Sequence, residues 1–167
     1  MNPDSNTDSI RLQQANLAYT IRQVQVTDAT ALQHNFWIDR SFENSRSHLQ
    51  RVVHAHHHQR GLGIVAEHNT NQALLAYGQI MYLGRCFEIG DLIVDEAIRS
   101  HGIGTAIIQH LAEVTRKISN LPIEIGVTSS NIRALALYQR LGFEIRYQRQ
   151  LQLDNGEETI LYLLYVN

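Results

Sequence analysis

The chain has 167 residues, 44% of them hydrophobic, which suits one domain with a substantial buried core. With 14 lysines and arginines against 16 aspartates and glutamates, the net charge is −2, so the strong positive charge typical of nucleic-acid-binding proteins is missing. Cys86 is the single cysteine, which excludes an internal disulfide framework and favours a reducing, cytoplasmic compartment. No apolar run approaches the roughly 20 residues of a membrane helix. We therefore expect neither nucleic acid nor a membrane as partner.

The first third of the chain predicts a polar leader, one strand and two helices. Residues 1–18 are mainly polar, and we expect a mobile leader there and one domain over residues 19–167. Residues 19–25 alternate and predict a strand. Residues 29–59 predict two helices interrupted near residues 39–44. The aromatic residues expected to turn inward are Phe36, Trp37 and Phe42.

Four histidines cluster near the end of the second predicted helix. His54 and His58 lie one helical turn apart, a spacing that can chelate a metal ion. No carboxylate or cysteine completes a ligand set there, and the ordinary alternative is a solvated helix face. We therefore expect no metal site.

The middle of the chain predicts an antiparallel meander. Its strands are expected at residues 64–67, 73–83 and 86–94, separated by turns at residues 68–71 and 84–85. These would be the second, third and fourth strands of the sheet.

The second half adds a crossover and a hairpin. A helix over residues 103–117 followed by a strand over residues 123–127 predicts a fifth strand parallel to the fourth. A short helix is expected at residues 131–141. The last two strands are expected at residues 143–153 and 158–166, around the turn Asp154-Asn155-Gly156. This order predicts a mixed α/β fold with a largely antiparallel sheet.

The passage from the fourth strand into the next helix has the chemistry of a phosphate site. Gly102 and Gly104 carry no Cβ where an anion would approach the backbone, and the free N–H groups of the helix start point outward there. Arg99 adds a permanent cation just upstream. A P-loop is excluded because the chain has no G-x-x-x-x-G-K-[ST], and a dinucleotide fingerprint is disfavoured by Ile107.

Two segments carry a resemblance to one family. Arg99-Ser100-His101-Gly102-Ile103-Gly104 resembles the R/Q-x-x-G-x-G/A acyl-CoA signature of the GNAT superfamily of N-acyltransferases. A second GNAT signature, V-x-x-x-N-x-x-A-x-x-x-Y-x-x-x-G-F, is matched by Val127, Asn131, Ala134, Tyr138, Gly142 and Phe143. Two motifs in this order arise by chance far less often than either one alone.

The resemblance implies the GNAT fold and a coenzyme. The fold is a mixed, mostly antiparallel sheet of about seven strands with about four flanking helices, and its fourth and fifth strands splay apart. The pantetheine arm of acetyl-CoA is expected between those two strands. The residues expected to contact the coenzyme are Leu92, Ile93, Val94, Arg99, Ser100, His101, Gly102, Ile103, Gly104, Thr105, Asn131 and Tyr138.

The activity implied by the resemblance is N-acetyltransfer from acetyl-CoA to a primary amine, by direct attack in a ternary complex. The Val94 N–H would polarise the acetyl carbonyl, and Tyr138 would protonate the departing thiolate. Some relatives keep a Glu where this chain has Gly126, and its absence favours a small-molecule amine over a protein N-terminus as acceptor. A non-catalytic acyl-CoA sensor or scaffold is the alternative, and we expect a monomer or a homodimer.

The proton acceptor for the substrate ammonium is expected to be Glu88. Regular alternation would set Glu88 on the same face as Leu92 and Val94. A bulge at Gly90 would reverse that parity and favour Asp91 instead. Glu124 is the other reserve. Cys86 has no neighbouring activating group, so a covalent route through it is disfavoured.

Several of these residues also have purely structural interpretations. Asn131 is a good N-cap, and a helical Tyr138 is usually a core residue. Where relatives often show Gly-Lys between the motif Arg and Gly, this chain has Ser100 and His101, which removes one cation from the phosphate site.

Overall fold

The computed structural model describes residues 17–153 and 156–166. The strands are β1 (Tyr19–Gln23), β2 (Gly61–His68), β3 (Leu74–Tyr82), β4 (Phe87–Val94), β5 (Ile123–Thr128), β6 (Phe143–Leu153) and β7 (Gly156–Tyr165). The α-helices are α1 (Ala29–Asn35), α2 (Phe42–His57), α3 (Ile103–Ile118) and α4 (Ile132–Arg140). Residues 1–16 of the expected leader, and Asp154 and Asn155 of the expected turn, lie outside the described residues.

The strands form one sheet in the order β1-β2-β3-β4-β5-β7-β6. Neighbouring strands are antiparallel except β4 and β5, which are parallel. Helix α3 connects this parallel pair, as a crossover requires. The predicted mixed α/β, mostly antiparallel fold is confirmed. No helix in the described part of the chain is long and apolar enough to cross a membrane.

Each face of the sheet has its own core. On the α3–α4 face, Ile89, Leu111 and Leu163 belong to a buried cluster that includes both helices. On the α1–α2 face, Leu49 and Tyr77 belong to a second, smaller cluster. The helices α1 and α2 pack mainly against β2 and β3.

The two early helices follow the predicted break. Trp37, between them, is buried as expected, whereas Phe42 is 44% exposed and the prediction that it turns inward is wrong. Phe42 is the first residue of α2, after the N-cap Ser41. A side chain in the first turn of a helix projects beyond the packed body of that helix, so it can stay in solvent.

Strands β4 and β5 part after a short junction. Three residues of β4, Phe87–Ile89, pair with Ile123–Ile125 of β5. Beyond Ile89, β3 is the only strand among the described residues that pairs with β4, and the rest of β5 pairs with β7. The splay expected between the fourth and fifth strands is confirmed.

A bulge in β4 reverses the side-chain alternation. Tyr77 on β3 pairs with Ile93, but Gln79 pairs with Gly90, so β4 holds one extra residue. Asp91 lies within this bulge at φ 49. Leu92 and Val94 therefore face α3 and α4, together with Phe87 and Ile89.

The bulge overturns the predicted position of Glu88. Glu88 lies between Phe87 and Ile89, which are both buried against α3, so its side chain is on the opposite face. The prediction that Glu88 shares a face with Leu92 and Val94 is wrong. Glu88 lies instead on the α1–α2 face, the same face as Asp91, because the extra residue changes the parity between positions 88 and 92.

Candidate active site

A cavity lies where β4 ends and where α3 and α4 begin. It has a volume of about 670 Å³. Its lining includes every residue expected to contact a coenzyme except His101. Residues that were not anticipated also line it, namely Ile98, Arg133, Ala134, Ala136, Leu137 and Arg140. Glu88 is not part of the lining, because it lies on the other face of the sheet.

The glycine turn leaves the start of α3 open. Gly102 is the N-cap with φ 80, a left-handed conformation in which a side chain would be strained. A Cβ built on Gly102 would meet no atom within 4 Å. The first N–H groups of α3 have no partner within the helix, and the positive end of its dipole lies behind them. This end of the cavity can hold a phosphate.

The polar residues around this turn contact the backbone. The Nδ1–H of His101 donates to the Ile98 carbonyl oxygen at 3.0 Å, which accounts for its absence from the cavity wall. Arg99 donates through Nε to the Val94 oxygen at 3.2 Å, and its Nη1 lies 3.0 Å from Glu96 Oε1. Arg99 is thus held at the junction of β4 and the turn.

Asn131 and Tyr138 occupy the inner wall of the cavity. The Asn131 side chain accepts a hydrogen bond from the Ala134 N–H at 3.1 Å, so it caps α4. Its amide NH₂ group remains able to donate to a ligand. Tyr138 is 7% exposed and packs against Phe143. Burial raises the pKa of Tyr138, which keeps its hydroxyl protonated at neutral pH.

Both residues therefore have the structural roles expected for them, and both also line the cavity. Asn131 is the N-cap of α4, Tyr138 is a core residue, and each contributes to the wall of the cavity. No hydrogen-bond partner for the Tyr138 hydroxyl exists among the described residues.

Two carboxylates face each other across the β4–β5 junction on the α1–α2 face. Glu88 and Glu124 are cross-strand neighbours. Burial first, and then the charge of Glu124, raise the pKa of Glu88, while Arg149 lowers it. Glu124 Oε2 accepts a hydrogen bond from the Tyr147 hydroxyl at 3.0 Å. A Cβ built on Gly90 would meet no atom within 4 Å, so the surface next to Glu88 is open.

A second polar group on this face was not anticipated. His48 of α2 lies with its Nε2 3.2 Å from Asp91 Oδ2 and 3.0 Å from Gln79 Oε1. Gln79 Oε1 also accepts from the Tyr77 hydroxyl at 2.7 Å. Burial lowers the pKa of His48 more than the nearby Asp91 charge raises it. Arg40 Nη2 is 3.5 Å from Asp91 Oδ1.

Sequence reasoning had no signal for this group. His48 precedes Leu49 in a helix whose buried residues include Leu49 and Val52, and nothing in its local pattern connects it with Asp91. The contact depends on the bulge, which turns Asp91 toward α2.

The cysteine and the histidine cluster lie in other environments. Burial and the neighbouring Glu124 raise the pKa of Cys86 to about 11, so its thiol is not a ready nucleophile at neutral pH. The rings of His54 and His58 are 4.5 Å apart between centroids. Within residues 17–153 and 156–166, no three His, Cys, Asp or Glu side chains form a group that could hold a metal ion.

Solved structures share this fold. The ribosomal-protein-S5-alanine acetyltransferase from Vibrio fischeri has a TM-score of 0.77 at 16% identity, covering 89% of this chain and 93% of that one. The spermidine/spermine N-acetyltransferase from Vibrio cholerae has a TM-score of 0.69 at 16% identity, with coverages of 87% and 91%. At these identities the likeness shows the fold alone.

Sequence comparisons show the family. The ribosomal protein bS18-alanine N-acetyltransferase of Escherichia coli is 25% identical over 151 residues, which are 89% of this chain and 98% of the relative. The chain spans between 25% and 50% of the lengths of four further curated relatives. The model of the acetyltransferase (GNAT) family matches residues 28–143. This match covers more than half of the chain and includes both motifs, so the protein belongs to the GNAT family of acetyltransferases.

Proposed function

We propose that this protein is an N-acetyltransferase that transfers an acetyl group from acetyl-CoA to a primary amine by direct attack in a ternary complex. One observation carries the proposal. A single cavity runs from the open start of α3 to Tyr138, beside the gap where β4 leaves β5. Its lining fits acetyl-CoA, since it contains three arginines, no carboxylate, and an apolar stretch formed by β4 and α4. The protein would work in the cytoplasm, without a metal ion.

The free backbone of β4 supports this use of the cavity. The Asp95 N–H donates to Leu75 O on β3. Because successive N–H groups in a strand point to opposite sides, the Val94 N–H points toward the gap. Residues Leu92 to Val94 would bind the pantetheine arm there, as would the Asn131 amide. The start of α3 and its flanking residues Arg99 to Thr105 would hold the diphosphate.

Acetyl-CoA, when bound, supplies a thioester carbonyl as the electrophile. The Val94 N–H would stabilise the negative charge that develops on the carbonyl oxygen, and such a donor contributes about 3 kcal/mol. Tyr138 would give its hydroxyl proton to the departing thiolate, a role that its raised pKa supports. Glu88 would accept the ammonium proton from the opposite face. Its raised pKa brings it closer to the range in which a carboxylate is an effective base.

We propose a small-molecule amine as the acceptor. The absence of a carboxylate at Gly126 supports this choice, and Glu88 and Glu124 next to an open surface suit a cationic amine. The spermidine/spermine enzyme is a neighbour with such an acceptor. The Escherichia coli relative, named for a ribosomal-protein alanine, favours a protein N-terminus as the second candidate.

A thiol-release assay tests the proposal. Purified protein is mixed with acetyl-CoA and with a panel of polyamines, aryl- and alkylamines, amino sugars and N-terminal peptides, and free coenzyme A is followed. We expect amine-dependent release, with acetylated product identified by mass spectrometry. Tight binding of acetyl-CoA in calorimetry with no release for any amine or peptide would instead support a non-catalytic sensor or scaffold.

A further inference from the structure

The amine-acceptor side of the sheet carries charges of both signs. On the α1–α2 face, Glu88 and Glu124 are neighbours across the β4–β5 junction. The Tyr147 hydroxyl on β6 donates to Glu124 Oε2 at 3.0 Å, and the guanidinium carbon of Arg149 lies 5.4 Å from the centre of the Tyr147 ring. Tyr147 thus meets a carboxylate at its hydroxyl and a guanidinium at its ring. The negative and positive groups are therefore parts of one continuous surface.

Two stacked tyrosines form the middle of this surface. Tyr147 and Tyr162 are paired across β6 and β7, and their ring centres lie 4.7 Å apart at an interplanar angle of 12°. A Cβ built on Gly126 would lie 3.4 Å from Cε1 of Tyr162, so this ring occupies space that a side chain at position 126 would need. The Arg149 guanidinium also lies 5.7 Å from the Tyr162 ring centre, and the negative faces of the rings attract it. The stack therefore holds a cation on the same surface as the two carboxylates.

The charge of Arg149 has no carboxylate partner among the described residues. None of the ion pairs found there involves Arg149, and the residue is exposed. Arg40, which lies over Trp37 on the same face, differs because its Nη2 is 3.5 Å from Asp91 Oδ1. The positive charge of Arg149 lowers the pKa of Glu88, so these two groups are close enough to influence each other. A guanidinium in this position can bind the oxyanion of a ligand in its planar fork.

We propose that Arg149 binds an anionic group of the amine acceptor, so that the acceptor is a primary amine that also carries a carboxylate or a phosphate. This inference rests on the proposed function and narrows its substrate class. Glu88 and Glu124 would hold the ammonium, the guanidinium would hold the oxyanion, and the tyrosine rings would contact the part of the molecule between the two charges. A polyamine is the opposite case, because its further ammonium groups would meet Arg149 and be repelled. The charge pattern of this surface therefore matches a zwitterion better than a chain of cations.

Pairs of amines that differ in the anion test the inference. Glycine, γ-aminobutyrate and phenylalanine are each compared with their primary amides, and phosphoethanolamine is compared with ethanolamine; spermidine is added as a polyamine. Release of coenzyme A from acetyl-CoA is measured for the wild type, Arg149→Gln and Arg149→Glu. Arg146→Gln is the matched control, since Arg146 is on the same strand and lies 3.5 Å from Glu144 instead of over the tyrosines.

We expect the loss of the guanidinium to affect anionic amines selectively. Arg149→Gln should lower kcat/KM for an anionic substrate on the order of ten-fold, through the KM of the amine, and change that of its counterpart by less than about two-fold. Arg149→Glu should lower it further and raise kcat/KM for spermidine. Arg146→Gln should change neither. Each comparison is made between variants on the same amine, so the different basicities of the amines cancel. Whether the carboxylate pairs or the phosphate pair respond identifies the oxyanion.

The outcomes separate this inference from the proposed function. An equal loss for both members of a pair in Arg149→Gln would overturn the inference, because Arg149 would then act only through the pKa of Glu88. Use of spermidine or ethanolamine by the wild type, with none of the anionic amines acetylated, would also overturn it and leave N-acetyltransfer intact. If no amine at all causes release of coenzyme A, the proposed function fails and the inference fails with it.

Discussion

The two faces of the sheet differ in how their chemistry is encoded. On the α3–α4 face, the cavity residues come from two compact segments, residues 92–105 and 131–140, each a strand end or turn leading into a helix. On the α1–α2 face, Asp91, His48 and Gln79 come from three separate elements and meet because of one extra residue in β4. The polar and ligand-facing residues of the first face are therefore recognisable from local sequence motifs, whereas those of the second face are brought together by long-range packing. We therefore expect substitutions on the α3–α4 face to affect the acetyl donor, and substitutions on the α1–α2 face to affect the amine acceptor.

The largest expected effect is that of Tyr138→Phe. Loss of the proton donor should lower kcat by about 100-fold or more, while the affinity for acetyl-CoA changes by less than about three-fold, because the ring still packs in the core. Steady-state kinetics and calorimetry measure the two quantities. Tyr165→Phe removes a hydroxyl outside the cavity and should leave both unchanged. A Tyr138→Phe enzyme with full kcat would contradict the acid role.

Glu88→Gln tests the acceptor side. We expect kcat/KM to fall by about 10- to 100-fold, with acetyl-CoA affinity retained. In the wild type, activity should rise with pH through the raised pKa of Glu88, since only the carboxylate accepts a proton. Glu124→Gln removes a charge that raises this pKa, so the acid limb of the pH profile should move to lower pH. If Glu124→Gln abolishes turnover and Glu88→Gln does not, Glu124 is the base.

Two glycine substitutions compare the faces directly. Gly102→Ala places a side chain at φ 80 and should lower the free energy of unfolding by about 1 kcal/mol while weakening coenzyme A binding. Gly90→Ala adds a methyl group in open space without a positive φ, so stability should change by less than about 0.5 kcal/mol. Its expected effect is a several-fold rise in the KM of the amine alone. Urea denaturation and two-substrate kinetics measure these differences; weaker coenzyme A binding by Gly90→Ala would contradict the division.

The smallest expected effect concerns His48. Its pKa is lowered by folding, so the unfolded chain takes up the proton more readily as pH falls through about 6.5. The stability contribution of this group is therefore present above that pH and is lost below it. The groups facing His48 are Asp91, Arg40, Arg51, Gln79 and Tyr77. His48→Gln should reduce the stability difference between pH 7.5 and pH 5.5 by less than about 1 kcal/mol in denaturant titrations; an increased difference would contradict this sign.

The sequence predicted the order of elements, the parallel β4–β5 pair and the position of the cavity, because each depends on local patterns. Gly102 precedes α3 and Gly142 follows α4, and both have a positive φ, a backbone conformation that glycine adopts more readily than other residues. The sequence offered a bulge at Gly90 as an alternative but could not decide for it, because the run from Glu88 to Val94 also permits regular alternation. For that reason, the prediction of the sheet face on which Glu88 lies was wrong.

The short β4–β5 junction has a further consequence for hydrogen exchange. Beyond Ile89, the β4 amides that point toward β5 have no partner strand in the part of the chain that the structure describes. Their deuterium uptake should therefore be fast compared with that of the amides bonded to β3. A ligand arm that accepts a hydrogen bond from the Val94 N–H would slow the exchange of this one amide. Hydrogen exchange at the Val94 amide thus reports whether a ligand occupies the gap between β4 and β5, and it can be measured before any acceptor is known.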